Sequence, residues 1–140
     1  MTPADVFSIA NFSVLPMWLL MIFAPKWSGT QFLIHYKLIP LLLSLVYAVY
    51  IFQAMQTGGG MDFGSLKSVM ALFTEENAVL AGWVHYLVFD LLVGMWMVEQ
   101  NKTLKIHLVI MAPCLLATFM LGPVGFLLFM IIKSLKNKQS

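Results

Sequence analysis

Four stretches of about 20 or more mainly apolar residues, joined by short polar segments, leave this chain of 140 residues few ways to fold. A helix rises about 1.5 Å per residue, so each stretch can cross a hydrocarbon core of roughly 30 Å. Lipid offers no hydrogen bonds to the backbone, and helices satisfy their own. The composition agrees, with 61% hydrophobic and 10% charged residues and a mean hydropathy of +0.89. A soluble domain is about half apolar and one quarter charged. The expected fold is all-α: a four-helix transmembrane bundle with a short amphipathic interfacial helix between spans two and three. It forms one integral membrane domain over residues 1–140, with multi-pass spans at about residues 4–24, 35–55, 78–98 and 106–132. No room remains for a soluble catalytic domain, so any chemistry lies inside the bundle or at its rims.

The joints support this reading. Thr2-Pro3-Ala4-Asp5 has the composition of a helix start, with a capping hydroxyl, a proline suited to the first turn and an acid at the positive end of the helix dipole. The basic leader and small-residue cleavage site of a signal peptide are not evident. Within the first span Asn11 and Ser13 should face the bundle, and Pro16 should kink it. Lys26 and Trp27 mark an interface. Gly58, Gly59 and Gly60 read as a hinge, followed over residues 61–73 by an amphipathic helix too short to span, either a connector or a lid. Thr74 is the expected cap of span three.

Span four carries Pro113 and Gly122-Pro123-Val124-Gly125. It is too short for two crossings, so it should tilt, kink or unwind, with the Gly-Pro pair turned inward. Four crossings would place Lys67, Lys133, Lys136 and Lys138 on one side and Lys26, Lys37, Lys102 and Lys105 on the other. The positive-inside count is then a tie, and orientation stays open.

The polar residues exclude several functions. Net charge is +2, and the eight basic residues are all lysine and scattered except at the C-terminus, so no nucleic-acid surface is expected. The single cysteine, Cys114, rules out an internal disulfide and should pack as a small apolar residue. His35, His85 and His107 lack metal-ligand spacing with one another or with the acids, so no metal is expected. Phosphate loops, nucleophile elbows and redox motifs are also absent, and no cofactor is implied.

Two residues in span three stand out. Asp90 and His85 occupy positions where lipid would otherwise be the solvent. A carboxylate there costs roughly 2.5 to 3.5 kcal/mol on insertion scales, so it normally faces protein, water or a ligand. Five residues apart on a helix, the two side chains diverge by about 140° and cannot form a simple dyad. Asp90 shares its stripe with Trp83, Tyr86 and Gly94, and His85 lies with Gly82 and Phe89. Facing the interior from different sides, they could flank one cavity as acid and base. Alternatively, Asp90 binds Asn11, Tyr47 or Tyr86 across the bundle and only fixes packing.

Phe73-Thr74-Glu75-Glu76, the motif Trp83-Val84-His85-Tyr86-Leu87-Val88-Phe89-Asp90, and Gly122-Pro123-Val124-Gly125 together resemble the plant abscisic acid deficient four family of small four-span membrane proteins. The resemblance extends over nearly the whole chain in the same order. It implies neoxanthin synthase-like carotenoid metabolism, in which an epoxide opens and an allene forms without a redox cofactor. Asp90 and His85 would then be catalytic, with Trp83, Tyr86, Asn11, Glu76 and Pro123 as pocket or rim residues. The implied partners are membrane lipid and an apolar isoprenoid or carotenoid, with a second copy of the chain as a further candidate. Short termini without a transit peptide suggest a bacterial-type homologue of an inner membrane. A non-catalytic protein that binds a carotenoid or a partner protein is the alternative.

Overall fold

The computed structural model describes residues 2–57 and 62–139, and the regular elements among them are all helices. They are α1 (Pro3–Phe23), α2 (Ser28–Tyr36), α3 (Leu38–Thr57), α4 (Leu66–Leu72), α5 (Glu76–Leu104), α6 (Leu108–Leu121) and α7 (Pro123–Gln139). Three stretches are long and apolar enough to cross a membrane: Pro3–Phe23, Ser28–Gln56 and Glu76–Leu104.

Local chemistry explains most boundaries. Thr2 accepts from the Asp5 amide at 3.2 Å while Asp5 accepts from the Thr2 amide at 2.9 Å, forming a reciprocal cap on α1. The helix runs unbroken through Pro16, which faces outward. Lys37, with φ of 52°, separates α2 from α3. The expected cap on α5 is corrected: Glu75, not Thr74, accepts from the Asn77 and Ala78 amides at 3.2 and 2.8 Å. Thr74 instead donates to the Ala71 carbonyl at 2.6 Å. A carboxylate at this position gains from the helix dipole as well as the hydrogen bonds, which favours it over a hydroxyl. The amphipathic connector is shorter than expected, being helical only over Leu66–Leu72, and the glycine run 58–60 lies outside the described residues.

α5 is the central element. α1 runs parallel to it, meeting it through Asn11 and Trp83 early and through Trp18 and Gly94 later. α3 runs antiparallel, with Lys37 3.6 Å from Glu99 at one end and the Tyr47 ring 5.6 Å from His85 further in. The core between them is filled by Met17, Met21, Leu91, Met95, Met97 and Leu115. Outward-facing Phe12, Leu19, Leu42, Leu45, Phe52 and Leu116 give the surface the apolar character that lipid requires.

The fourth apolar stretch is not the single span expected, and its helices fall outside the three candidate spans. α6 descends antiparallel to α5, and Tyr86 reaches the carbonyl of Met120 near its end. The chain then reverses at Gly122, and α7 climbs back alongside α5. Phe126 and Phe129 pack on Trp96 at 5.9 and 5.6 Å, and Lys133 donates to Gln100 at 2.9 Å. A straight continuation would carry Lys133 to the opposite end of the bundle. α6 and α7 therefore form a helical hairpin whose two outer ends lie on the same side. Gly125 makes the reversal possible, because a Cβ there would run into the backbone and hydroxyl of Thr118. Small residues at such a crossing let two helix backbones approach closely.

This reversal removes the lysine tie. Lys26, Lys37, Lys102, Lys105, Lys133, Lys136 and Lys138 all gather at one end of the bundle, where Glu99 is the only acidic side chain among the described residues. Asp5, Asp62, Glu75 and Glu76 lie towards the other end, with Lys67.

Candidate functional site

Asp90 is the midpoint of α5, fourteen residues from either end of the helix. The hairpin tip meets α5 at this level. Gly122 has φ of +24°, and a Cβ built on it would lie 2.5 Å from Asp90 Oδ1. An L side chain at residue 122 would be strained both by the backbone and by the carboxyl. Asp90 Oδ2 is shielded from solvent and makes no close hydrogen bond among the described residues, while the Tyr86 hydroxyl lies near enough to interact with the carboxyl.

The break in the helix explains why a polar side chain belongs here. Helix ends leave carbonyls at the C-terminus and amides at the N-terminus without partners in their own helix. Tyr86 donates from its hydroxyl to the Met120 carbonyl at 3.0 Å and so serves the end of α6. One turn further along the same stripe, Asp90 sits against the residue that precedes α7, at the positive end of that helix dipole. Pro123 opens α7, a position where its missing N–H removes no helical bond. Unwound backbone facing an ionisable side chain at mid-depth is the arrangement from which broken-helix binding sites are built.

Aromatic side chains continue the line from Asp90 towards the acidic end. Trp83 stacks on Tyr86 at 5.4 Å and meets Phe7 at 5.5 Å. Its indole nitrogen donates to Asn11 Oδ1 at 2.7 Å. Asn11 thus serves Trp83 rather than Asp90. Glu76 borders a small hollow of about 260 Å³ with Phe7 and Val79. Asn11, Trp83, Tyr86, Asp90 and the Gly122-Pro123 break therefore follow one face of α5, with Glu76 above them.

His85 does not join them. It is exposed on the face turned towards α3, between Tyr47 at 5.6 Å and Phe89 at 4.8 Å. The shared cavity expected between Asp90 and His85 is corrected accordingly, because α3 packs against one of these faces and the hairpin against the other. The larger cavity, of about 590 Å³, lies elsewhere, at the basic end between α1 and the α5–α6 turn. Neither Asp90 nor His85 lines it. The sequence already puts its Lys26, Lys102 and Lys105 on one side of the bundle, but the cavity among them was not identified, since it forms only where α1 packs against the α5–α6 turn. His35 is exposed beside Tyr36, and Cys114 is buried and free.

Comparison with known proteins extends the reading. The ABA DEFICIENT 4-like family profile matches residues 5–129. Among curated proteins, the chain is similar to Protein ABA DEFICIENT 4, chloroplastic, of Arabidopsis thaliana, with 28% identity over 147 aligned positions. The match covers 97% of this chain and 64% of that protein. The expectation of a bacterial source is not borne out by these comparisons. No solved structure matches. With 125 of its positions inside the family profile, the chain belongs to the ABA DEFICIENT 4-like family.

Proposed function

We propose that the chain is a multi-pass membrane protein that handles a long apolar isoprenoid, in line with the family a carotenoid, at the level of Asp90. α1, the α2–α3 pair and α5 cross the bilayer in this reading, and the α6–α7 hairpin enters and leaves from the basic end. That end faces the cytosol or its equivalent, because loops rich in lysine are retained there. Membrane lipid and the isoprenoid are the partners it requires.

The observation that carries the reading is the half-buried carboxyl of Asp90 at the centre of the longest helix, with one oxygen shielded from solvent and, among the described residues, the Tyr86 hydroxyl as its polar neighbour. Burying such a group is costly unless it serves a ligand or a reaction. In an isomerisation of a xanthophyll epoxide, Asp90 would deliver a proton to the epoxide oxygen as the C–O bond breaks. A base would remove a proton from carbon, leaving composition and oxidation state unchanged. The line formed by Phe7, Trp83 and Tyr86 would hold the polyene beside the carboxyl.

Binding without conversion is the second reading, and the position of His85 favours it. Asn11 and Tyr86 are already engaged on the Asp90 face, and His85 lies on another. The test is expression in cells making several carotenoids, followed by identification of every pigment in the purified protein and in the membranes. Conversion that disappears in Asp90→Asn supports catalysis. Pigment retained unchanged by the wild type and lost from Asp90→Asn supports binding. No pigment retained and none converted would remove both readings.

A further inference from the structure

The cavity at the basic end combines two chemistries. Its floor is apolar, formed by Met21, Val98, Met111 and Leu115, which belong to α1, α5 and α6. Its mouth carries Lys26, Lys102 and Lys105, together with His107. None of these lysines forms an ion pair among the described residues, in contrast to Lys37, which lies beside Glu99. Among the described residues no carboxylate lines the cavity.

The mouth is held in shape by the turn that forms it. Asn101 accepts from the Ile106 amide at 2.7 Å and donates to the Ile106 carbonyl at 2.9 Å, closing the loop between α5 and α6. His107 caps α6 by accepting through Nδ1 from the Val109 amide at 3.1 Å. In a neutral imidazole this leaves Nε2 as the donor. Gln31 is occupied with the Pro25 carbonyl on the facing side. The lysines are therefore set around a formed opening rather than scattered on mobile chain.

We propose that this cavity binds one membrane lipid with an anionic headgroup, its phosphate, sulfate or carboxylate at Lys26, Lys102 and Lys105 and its first tail segment on the apolar floor. Charge complementarity selects the occupant. A neutral lipid offers the lysines no anion, a zwitterionic one brings its own cation beside its phosphate, and a soluble anion would gain nothing from the floor. The cavity volume of about 590 Å³ suits a headgroup and the start of a tail, with the rest of the chains continuing into the bilayer. Basic pockets between membrane helices are suited to such headgroups. The site lies away from Asp90 and does not depend on the proposed function there.

The test is native mass spectrometry of the purified protein with phosphatidylglycerol and phosphatidylcholine of identical tails in equal amounts. Wild type should retain the anionic lipid about tenfold more. Lys102→Gln with Lys105→Gln should lower that retention at least about fivefold. Lys136→Gln with Lys138→Gln removes the same charge from the same end but lies outside the cavity, so it should leave retention unchanged. Leu108→Trp, at an exposed lining position next to His107, should also reduce retention by narrowing the opening without altering charge. Equal losses in both lysine pairs would mean a general surface field and overturn the proposal. So would no lipid preference, retention unaffected by Leu108→Trp, or displacement of the lipid by inorganic phosphate alone.

Discussion

The two halves of α5 have different surroundings. From Asp90 to Leu104 the helix is jacketed by α1, α3 and the α6–α7 hairpin, and Leu91, Met95, Met97 and Val98 are buried. From Glu76 to Phe89 the hairpin reaches the helix only through Tyr86, and although Leu80, Val84 and Leu87 are buried, Val79, Trp83 and Phe89 remain exposed. The change falls where the Asp90 carboxyl meets the hairpin tip. A protein that merely needed a fourth wall could have continued α6 across the bilayer. Stopping halfway leaves two helix ends and one acid together at mid-depth, with an aromatic face open beside them.

The most drastic way to break this comparison is through topology. Reporters fused to the two termini should report opposite sides of the membrane, because the proposed topology separates them by three crossings and a re-entrant hairpin. Reporters on the same side would mean that α6–α7 crosses, and both halves of α5 would then be covered alike. Next in size is Gly125→Leu, which should drive the hairpin apart and destabilise the protein by about 3 kcal/mol or more, read as loss of folded, monodisperse protein in detergent. Normal yield would show that the close approach to Thr118 is not needed.

Asp90→Asn sharpens the comparison without dismantling it. The shape is kept, so thermal stability should hold or rise, while pigment conversion falls about 100-fold or more, as expected for loss of a proton donor. Activity near wild type would confine Asp90 to packing. The smallest effect is expected for Trp83→Phe, which deletes the indole N–H that reaches Asn11 on the open half. A loss of about 0.6 kcal/mol in unfolding experiments is expected, the size of one hydrogen bond between membrane helices. A much larger loss would mean that Trp83 holds α1 in place.

Parts of this arrangement were legible in the residues themselves. Thr2, Pro3 and Asp5 announce a helix start because their reach is local, though not that Asp5 returns the hydrogen bond, and the placement of Trp83, Tyr86 and Asp90 on one stripe follows from helical periodicity alone. The divergence of His85 from Asp90 was equally readable, being a matter of rotation about one axis. The hairpin was not. Gly122-Pro123 can bend a helix or reverse it, and the apolar run around it has the length of a single crossing, which favoured the bend.

Amino-acid order by itself determined that this chain is helical, that its helices suit lipid, and that one of them must shelter a carboxyl, because length, periodicity and the cost of charge in hydrocarbon act within a single element. Only the tertiary structure decided where the last helix goes and therefore which lysines stand together. That choice rests on a backbone approach between Gly125 and Thr118 and on Lys133 reaching Gln100, contacts between residues whose separation along the chain carries no local signal.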